Sequence, residues 1–490
     1  NGEKIGEQAF SRSFSGKDLS FILGSDKLSA KITDLKLCDY INTEELVNID
    51  DDSFKYNLTF DDAFLNNAKG KIKLPEVNGL TYRIGNDDVA ELDGYYLTFY
   101  DNDTNKDKEL ILTATYQGVD KEYRFNIRGN NKEKLLLNTK ILVYNSLNYI
   151  ISESDIFDTN INGIDVEYEV IGGNASFVNN HFLKNELANE KEKITVRVNI
   201  DDISFQKDIV LLDEYYAYLL AGFTGQAIFP ECIEGNEKSF FALSEDLKKW
   251  SYIDSISVNV SSGSKRVRDQ YLSRDKTGNY LLLGTQGYTN SESINEFKLE
   301  LKNINYSDKD LHLFANYSWA PEIIYDYDND QYLILYSDTE TKNSPIYAVA
   351  TKDFERFSYP FIFFDVGFTI IDANITMFDG KYYLFYKGED VERYGALYYA
   401  VSDSLSCGSN WQLYDDEITL GYNLEGPYGL KGLDNNNYLF ADAFEVAKPY
   451  YGLFDSNSKI DMKNIKDLNG VHHYSILKIT RAEYEKLMGE

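Results

Sequence analysis

Four aromatic segments recur at a nearly constant spacing in the second half of the chain. They read GNYLLLGTQ, DQYLILYSD, GKYYLFYKG and NNYLFADAF, and their first tyrosines are Tyr280, Tyr332, Tyr382 and Tyr438. These tyrosines lie 52, 50 and 56 residues apart. Aromatic residues are enriched in strands, and a fixed period of about fifty residues with several short strands per unit is typical of a β-propeller. The repeat therefore predicts an all-β propeller after residue 213.

An acidic residue precedes each of these tyrosines at a similar distance. The four are Asp269, Glu322, Asp372 and Glu425, which lie 11, 10, 10 and 13 residues before the tyrosine of their repeat. Equivalent positions on the inner strands of a propeller surround one axis, so we expect the four carboxylates to converge at one end of the channel. The alternative is scattered surface acids, because the chain has 80 acidic residues. Apolar or tightly turning contexts such as Trp-Ala-Pro-Glu favour a shared register.

Residues before 213 read as small β modules. Residues 109–129 form two alternating segments about a glycine-containing turn, and residues 193–213 repeat this plan about Asp201-Asp202. Alternation followed by a turn predicts a hairpin, and each hairpin closes a segment of a size that suits a small sandwich. The predicted domains are residues 1–52, 53–131, 132–213 and 214–490.

Charge and composition exclude several classes of protein. The chain has 80 acidic and 49 basic residues, a formal charge of −31, and a surface of that sign repels phosphate backbones. Nucleic acid is therefore not an expected partner, whereas neutral glycans are not disfavoured. No apolar stretch is long enough to span a bilayer, and three scattered cysteines exclude a disulfide scaffold.

Four motifs in the propeller region resemble those of glycoside hydrolase family 43. VRDQYL resembles its Arg-Asp-Pro motif, SWAPEIIYD its Trp-Ala-Pro-acid motif, IIDANI its Asp-Pro/Thr segment and NLEGPY its Glu-Gly-Pro segment. YAYLLAGFTG, FFALSEDLKKW and the ending HHYSILKITRAEYEKLM resemble one branch of the family. The resemblance covers residues 214–488 and implies a five-bladed β-propeller that hydrolyses glycans containing arabinose, xylose or galactose.

The resemblance extends to the accessory modules. Residues 53–131 and 132–213 look like immunoglobulin-like sandwiches, and residues 1–52 like the remnant of a lectin-like domain. This arrangement is common in secreted members of the family, which implies an extracellular or cell-surface protein. The chain begins at Asn1 and not Met, so we expect a fragment or processed form that lacks any export signal.

By the same resemblance, three of the acidic residues carry the catalysis. Asp269 is the general base, Glu425 the general acid, and Asp372 the residue that raises the pKa of the acid and holds the sugar. An inverting glycosidase needs one carboxylate to activate water and one carboxylic acid to protonate the leaving oxygen. A third carboxylate near the acid keeps it protonated by like-charge repulsion. The chain departs from the family at Gln270 and Ala373, where proline, or proline or threonine, is usual.

Further residues are predicted to bind substrate or a cation. The predicted substrate-binding residues are Glu322, Trp319, Phe223 and Thr224. Trp319 stacks on a sugar or belongs to the core, and Phe223 and Thr224 line the pocket or serve packing. His473 aligns with a histidine that lies on the axis beside a bound cation in some relatives, which implies a structural Ca²⁺ site; a lone histidine is otherwise ordinary structure. The reaction itself needs no cofactor.

The sequence favours one function and leaves alternatives open. The favoured function is an inverting, exo-acting α-L-arabinofuranosidase acting on the side chains of plant or dietary polysaccharides and oligosaccharides. A β-galactosidase or β-xylosidase uses the same scaffold, because specificity depends on the loops around the pocket. A propeller retained for glycan binding without catalysis is the alternative from a different class.

Overall fold

The computed structural model of the protein describes most of the chain after residue 61. The described residues are 62–102, 106–129, 132–201, 203–224, 237–256, 267–287, 292–298, 308–310, 318–338, 343–405, 411–414, 416–419, 423–456 and 458–489, with 58, 60 and 258. The predicted remnant of a lectin-like domain, residues 1–52, lies outside the described residues. Two compact units divide the chain, one of residues 1–131 with 406–412 and one of residues 132–405 with 413–490.

The described part of the first unit contains two three-stranded sheets and a short helix. Its elements are α1 (Asp62–Leu65), β1 (Gly70–Lys73), β2 (Leu80–Ile84), β3 (Ala90–Asp93), β4 (Tyr96–Phe99), β5 (Lys108–Tyr116) and β6 (Val119–Ile127). The sheets have the strand orders β1-β4-β3 and β2-β5-β6. The predicted hairpin is confirmed as β5 and β6, which turn at Gly118 with a φ of +79°. Apolar side chains of both sheets, including Leu97 and Phe125, share one buried core.

The second unit begins with a helix and a five-stranded sheet. Its first elements are α2 (Lys132–Ser146), β7 (Ile150–Ser152), β8 (Asn160–Ile161), β9 (Ile164–Gly172), β10 (Ala175–Val178), β11 (His181–Lys184), β12 (Glu192–Ile200) and β13 (Ile203–Leu212). The sheet order is β7-β13-β12-β9-β8, and β7 pairs with β13 in parallel. The predicted hairpin is confirmed as β12 and β13. Helix α2 was not anticipated from the sequence. The domain boundaries and the immunoglobulin-like character of both modules stay predictions.

Among the described residues after 213, twenty strands form five four-stranded sheets, which we call blades 1 to 5 in the order of their first strands. They are β14 (Tyr215–Thr224), β15 (Lys238–Ser244), β16 (Ser251–Tyr252), β17 (Arg268–Arg274), β18 (Tyr280–Gly287), β19 (Glu292–Lys298), β20 (Asp308–Asp310), β21 (Trp319–Asp326), β22 (Gln331–Ser337), β23 (Ile346–Thr351), β24 (Phe361–Phe364), β25 (Ile370–Phe378), β26 (Lys381–Gly388), β27 (Leu397–Ser402), β28 (Gln412–Tyr414), β29 (Glu425–Lys431), β30 (Asn437–Ala443), β31 (Lys448–Leu453), β32 (Lys463–Asn464) and β33 (His472–Thr480). Short 3-10 turns span Phe444–Val446 and Lys466–Leu468, and helix α3 spans Arg481–Met488.

The five blades surround one axis. Their inner strands are β33, β17, β21, β25 and β29, and each contacts the inner strand of the next blade. Blade 1 combines β14, β15 and β16 with β33 from the end of the chain, so the last strand closes the ring. The aromatic segments that predicted the repeat are the second strands β18, β22, β26 and β30. The predicted all-β fold with a five-bladed propeller is confirmed.

The module of residues 132–212 packs on the propeller at the hairpin turns that follow the inner strands. Tyr149 Oη donates to the Arg274 carbonyl at 3.0 Å, and Asn145 Nδ2 donates to the Gly380 carbonyl at 2.9 Å. Lys207 donates to two carbonyls at the end of α2 and lies over the rings of Tyr144 and Tyr327. These contacts lie where the inner strands end, opposite the ends where the strands begin.

Candidate active site

Every inner strand contains one extra residue near its beginning. The pairing register shifts between Arg268 and Tyr271, Trp319 and Glu322, Ile371 and Asn374, Glu425 and Tyr428, and His472 and Ser475. A β-bulge of this kind bends the strand and redirects a side chain, and bulges are frequent beside active sites. We call the end of the channel where the five bulges lie the mouth.

The bulges place one residue of each blade in the left-handed region. These residues are Asp269, Ala320, Asp372, Gly426 and His473, with φ values of 51°, 49°, 55°, 57° and 35°. A non-glycine residue in this region costs about 1–3 kcal/mol, and such strain is concentrated at functional sites. Gly426 alone adopts the conformation without that cost. The two aspartates and the histidine therefore owe their orientation to a strained backbone that the sheet enforces.

His473 lies between the two aspartates at the mouth. Its Nδ1 atom is 3.8 Å from Asp269 Oδ1 and 3.9 Å from Asp372 Oδ2. The side chains of Asp269 and His473 are 14% and 19% exposed, so the group is sheltered but open to a small molecule. The structure thus brings together Asp269 and Asp372, two residues that are 103 positions apart in the sequence.

Glu425 lies on the neighbouring strand and is held by a lysine. Lys387 Nζ donates to Glu425 Oε2 at 3.0 Å and also contacts Glu389 Oε2 at 2.9 Å. The lysine side chain is only 3% exposed, whereas that of Glu425 is 18% exposed. The residue after the glutamate links it to Asp372, because the Gly426 N–H donates to Asp372 Oδ2 at 3.1 Å. We call Asp269, Asp372 and Glu425 the carboxylate triad.

Burial and charge perturb two members of the triad. Burial, together with the negative charges of Asp442 and Asp372, raises the pKa of the Glu425 carboxyl well above its usual range, against the opposing Lys387 ammonium. Burial also raises the pKa of Asp372, against the opposing influence of His473 and Lys387. Although burial opposes it, the Glu425 and Asp372 carboxylates raise the pKa of Lys387, which keeps its charge. Perturbed carboxyl groups in a cleft are typical of catalytic sites.

A buried aspartate supports the histidine from below. Asp442 pairs with Glu425 across β29 and β30 and is fully buried. Its Oδ1 accepts the His473 N–H at 2.8 Å, and its Oδ2 lies 3.3 Å from His472 Nδ1. Asp442 therefore fixes the backbone of His473 and contributes negative charge beneath the mouth.

Lys387 occupies a place where other blades hold a hydrogen-bond acceptor. In three blades a second-strand side chain accepts the N–H of the next blade's left-handed residue: Thr285 from Ala320 at 3.1 Å, Ser337 from Asp372 at 3.0 Å and Asp442 from His473 at 2.8 Å. Each acceptor pairs with the residue before a bulge, and Lys387 pairs in the same way with Ile371. An ammonium cannot accept, so Lys387 instead reaches Glu425.

The four acids do not share one register, so that prediction is wrong. Asp269 and Asp372 do occupy the same bulge position, but Glu425 precedes that position by one residue and Glu322 follows it by two. The four carboxylates therefore do not stand at one level of the channel. The bulge is common to the inner strands, but the turn that leads to the tyrosine differs in length, because Tyr280 pairs with Arg274, Tyr332 with Tyr325, Tyr382 with Met377 and Tyr438 with Leu430. Counting back from the tyrosine therefore does not give the position of an acid relative to the bulge.

Glu322 lies inside the channel and lines a small cavity together with Gly426 and His473 of the mouth. It is 2% exposed, and its Oε1 accepts the Ile375 N–H of the next inner strand at 2.6 Å. Burial raises the pKa of Glu322 well above its usual range, against hydrogen bonds with Ile375, Asn374 and Tyr271. These contacts join blades 2, 3 and 4. Its predicted role in substrate binding stays a prediction.

The other predicted substrate-binding residues have different surroundings. Trp319 directly precedes the bulge of blade 3, the position that Glu425 has in blade 5, and it is half-buried. Phe223 is 2% exposed and stacks on His472 with ring centroids 5.3 Å apart, which is the packing alternative. Thr224 ends β14 and is half-buried. Gln270, which stands where proline is usual, donates to Ser239 Oγ at 2.6 Å.

The described residues do not provide a metal site of three or more His, Cys, Asp or Glu side chains. Calcium takes six to eight oxygen ligands at about 2.3–2.6 Å. Among the described carboxylates, those of Asp269 and Asp372 lie within 4.0 Å of His473 Nδ1, and they belong to different blades. This donor set does not fit a protein-made calcium site, so no step of the chemistry below passes through a metal. The structural Ca²⁺ stays a prediction.

Sequence reasoning missed three residues of the site: Lys387, Asp442 and Tyr394. Lys387 could have been noticed as the single charged residue in the aromatic segment YYLFYK, and Asp442 as the acid within YLFADAF. Tyr394, whose ring centroid lies 4.8 Å from Lys387 Nζ, comes from a loop and has no periodic signal.

The propeller region matches the model of a known protein family. The family model described as "Probable glycosyl hydrolase domain", related to glycoside hydrolase family 43, matches residues 213–485. None of the curated proteins matches the chain. Among the described residues, no helix has the length and apolar character needed to cross a membrane.

Several solved structures are similar to part of the chain. An endo-1,4-beta-xylanase from Bacteroides thetaiotaomicron is 15% identical, with 52% of this chain and 93% of that chain covered and a TM-score of 0.36. An alpha-L-arabinanase from Cellvibrio cellulosa is 15% identical, with 53% and 95% covered and a TM-score of 0.34. RS223-Beta-xylosidase is 13% identical, with 61% and 98% covered and a TM-score of 0.38. Likenesses of this degree decide neither substrate nor mechanism.

Proposed function

Because the chain belongs to the family of probable glycosyl hydrolase domains related to glycoside hydrolase family 43, we propose that its carboxylate triad hydrolyses glycosides with inversion of configuration. In this proposal the protein is an exo-acting α-L-arabinofuranosidase on polysaccharide side chains. The observation that carries the proposal is the convergence of Asp269, Asp372 and Glu425 at one mouth, on three different inner strands.

Glu425 is the general acid. A general acid must hold its proton at the working pH, and burial with two neighbouring carboxylates raises the pKa of Glu425 in the required direction. When the proton passes to the glycosidic oxygen, Glu425 becomes a carboxylate. The Lys387 ammonium at 3.0 Å stabilises that carboxylate. Asp372 therefore raises the pKa of Glu425, whereas Lys387 lowers it.

Asp269 is the general base. It removes a proton from a water molecule as the water oxygen bonds to the anomeric carbon, while the bond from that carbon to the leaving oxygen breaks. The electron pair of the broken bond and the proton from Glu425 go to the leaving group. Strand β33 lies between β17, which carries Asp269, and β29, which carries Glu425. This separation supports the wide gap of about 6.5–9.5 Å that an inverting pair needs for its water.

Asp372 adjusts the acid and orients the sugar. Its backbone N–H donates to Ser337, and its carboxylate accepts the Gly426 N–H, so both ends of the residue are fixed. The negative charge of Asp372 raises the pKa of Glu425. Its 8% exposed carboxylate still faces His473, where a sugar hydroxyl can be bound.

A panel of aryl glycosides tests the proposal. Aryl α-L-arabinofuranoside, β-D-xyloside and β-D-galactoside are to be compared under identical conditions. Fastest hydrolysis of the arabinofuranoside supports the proposal. Faster hydrolysis of the xyloside or the galactoside would change the proposed substrate sugar and leave the proposed mechanism as it is. Absence of hydrolysis of all three, with intact glycan binding, contradicts the enzymatic function and supports a binding protein. The extracellular or cell-surface location is a further part of the proposal, and it follows from the family alone.

A further inference from the structure

Tyr394 is a half-exposed aromatic residue beside the proposed acid. It lies in the loop between β26 and β27, and 51% of its side chain is exposed. The Lys387 ammonium is 4.8 Å from its ring centroid and 3.0 Å from Glu425 Oε2. Because both distances start at Lys387 Nζ, the ring centroid lies within about 8 Å of Glu425 Oε2, a separation that one sugar unit can span. Isolated aromatic residues on a surface are common, but Tyr394 contacts the lysine that pairs with the proposed acid.

Backbone hydrogen bonds fix the position of the Tyr394 loop relative to Glu425. The Leu424 N–H, directly before Glu425, donates to the carbonyl of Gly395, directly after Tyr394, at 3.0 Å. Gly395 has a φ of +73°, and a side chain at this position would collide with Asn423. The Gly388 N–H donates to the Ala396 carbonyl at 2.9 Å and closes the loop at its base. The loop and the acid therefore form one rigid corner of the mouth.

The chemistry of the acid defines what this corner binds. A general acid protonates the leaving oxygen, so the sugar unit that departs lies on the Glu425 side of the bond. Sugar rings have apolar C–H faces, and an exposed aromatic ring covers such a face at low conformational cost. We propose that Tyr394 is the binding platform for the sugar unit on the leaving-group side, and this proposal rests on the proposed hydrolase function. The fixed ring makes the protein selective for glycan linkages over small alkyl leaving groups.

The test compares two substrates whose leaving groups have similar acidity but only one of which has a ring. These are α-1,5-arabinobiose and methyl α-L-arabinofuranoside, or the corresponding pair for whichever sugar the unaltered protein cleaves. Tyr394→Ala is expected to lower kcat/KM for the disaccharide roughly tenfold more than for the methyl glycoside, through KM, since it removes the apolar contact. Tyr394→Phe keeps the ring and restores the ratio. Tyr252→Ala, at a 63% exposed tyrosine on the outer strand β16, is the matched control and leaves the ratio unchanged.

The possible outcomes distinguish a failure of the Tyr394 platform from a failure of the proposed hydrolase function. If the unaltered protein cleaves the disaccharide and Tyr394→Ala affects both substrates equally, the platform is wrong and the hydrolase stands. If Tyr394→Phe loses as much as Tyr394→Ala, the hydroxyl acts instead of the ring, and the proposal is again overturned. If the unaltered protein cleaves neither member of any pair, the hydrolase function fails and the platform fails with it.

Discussion

The ammonium of Lys387 lies 3.0 Å from Glu425 Oε2, at the position where three other blades hold an acceptor for a backbone N–H. In those three blades the side chain links its blade to the next through a hydrogen bond to the backbone. In blade 4 the equivalent side chain, Lys387, places a cation beside the proposed acid. The cation favours the carboxylate form of Glu425, whereas burial, Asp442 and Asp372 favour the protonated form. The balance of these effects sets the pH range in which the acid holds its proton.

Replacing Lys387 or Asp372 should therefore move the pH profile in opposite directions. In Lys387→Met the pKa of Glu425 rises, because the stabilising cation is lost, so the basic limb of kcat/KM moves to higher pH. In Asp372→Asn the pKa falls, because the like charge is lost, and the basic limb moves to lower pH. Lys431→Met removes an exposed lysine paired with Asp379 and is the control. Shifts of the same sign in both variants would contradict the assigned roles.

The two proposed proton-transfer residues should respond differently to the leaving group. Glu425→Gln and Asp269→Asn keep shape, remove one proton transfer and should each lower kcat by about 10²–10⁴-fold on an alkyl glycoside. On a dinitrophenyl glycoside, which needs no protonation, Glu425→Gln should recover most of its activity and Asp269→Asn should not. Circular dichroism checks that both variants are folded. Wild-type turnover of the alkyl glycoside by either variant would remove that residue from the mechanism.

The ion pair of Arg274 and Glu483 should make the stability of the blade that closes the propeller depend on pH. Their side chains are 3% and 7% exposed and 2.8 Å apart, and Glu483, in the first turn of α3, forms a capping box with Thr480. Although burial opposes it, the Arg274 guanidinium lowers the pKa of Glu483. A carboxyl whose pKa is lowered in the folded state stabilises above its unfolded pKa, and this stability is lost as the pH falls through the folded pKa.

Glu483→Gln should cost about 3–5 kcal/mol in the free energy of unfolding, because it leaves a buried guanidinium without its counter-ion. Glu485→Gln, on the same helix in an exposed pair with Arg481, should change it by about 0.5 kcal/mol or less. Urea unfolding at neutral and acidic pH measures both. Equal small effects would show that the pair does not hold the closing strand.

Glu322→Gln should leave hydrolysis nearly unchanged, since this carboxyl lies in the channel and joins inner strands. Burial raises the pKa of Glu322, so the neutral form is favoured and an amide is a close replacement. Glu322→Ala, by contrast, leaves the buried Ile375 N–H without its acceptor and should cost about 1–3 kcal/mol in the free energy of unfolding. A large rise in KM for Glu322→Gln would support its predicted role as a substrate ligand.

The sequence predicted the propeller well because its strands repeat an aromatic pattern that burial requires. It also predicted the hairpins at Gly118 and Asp201, where turn residues interrupt alternating strands. It could not place the carboxylates relative to one another, because the turns between the inner strands and the tyrosine strands differ in length from blade to blade. Lys387 and Tyr394 were missed since their importance depends on contacts between blades, which no local pattern encodes.

The configuration of the first product tests the central claim most directly. If Asp269 activates water while Glu425 protonates the leaving oxygen, no covalent bond forms between the sugar and the protein. Proton NMR of the reaction, recorded before mutarotation, should then show the anomer of inverted configuration first, and added methanol should not capture the sugar. A first product of retained configuration, or a methyl glycoside formed in methanol, would contradict the assignment of Asp269 as the base and of the triad as an inverting site.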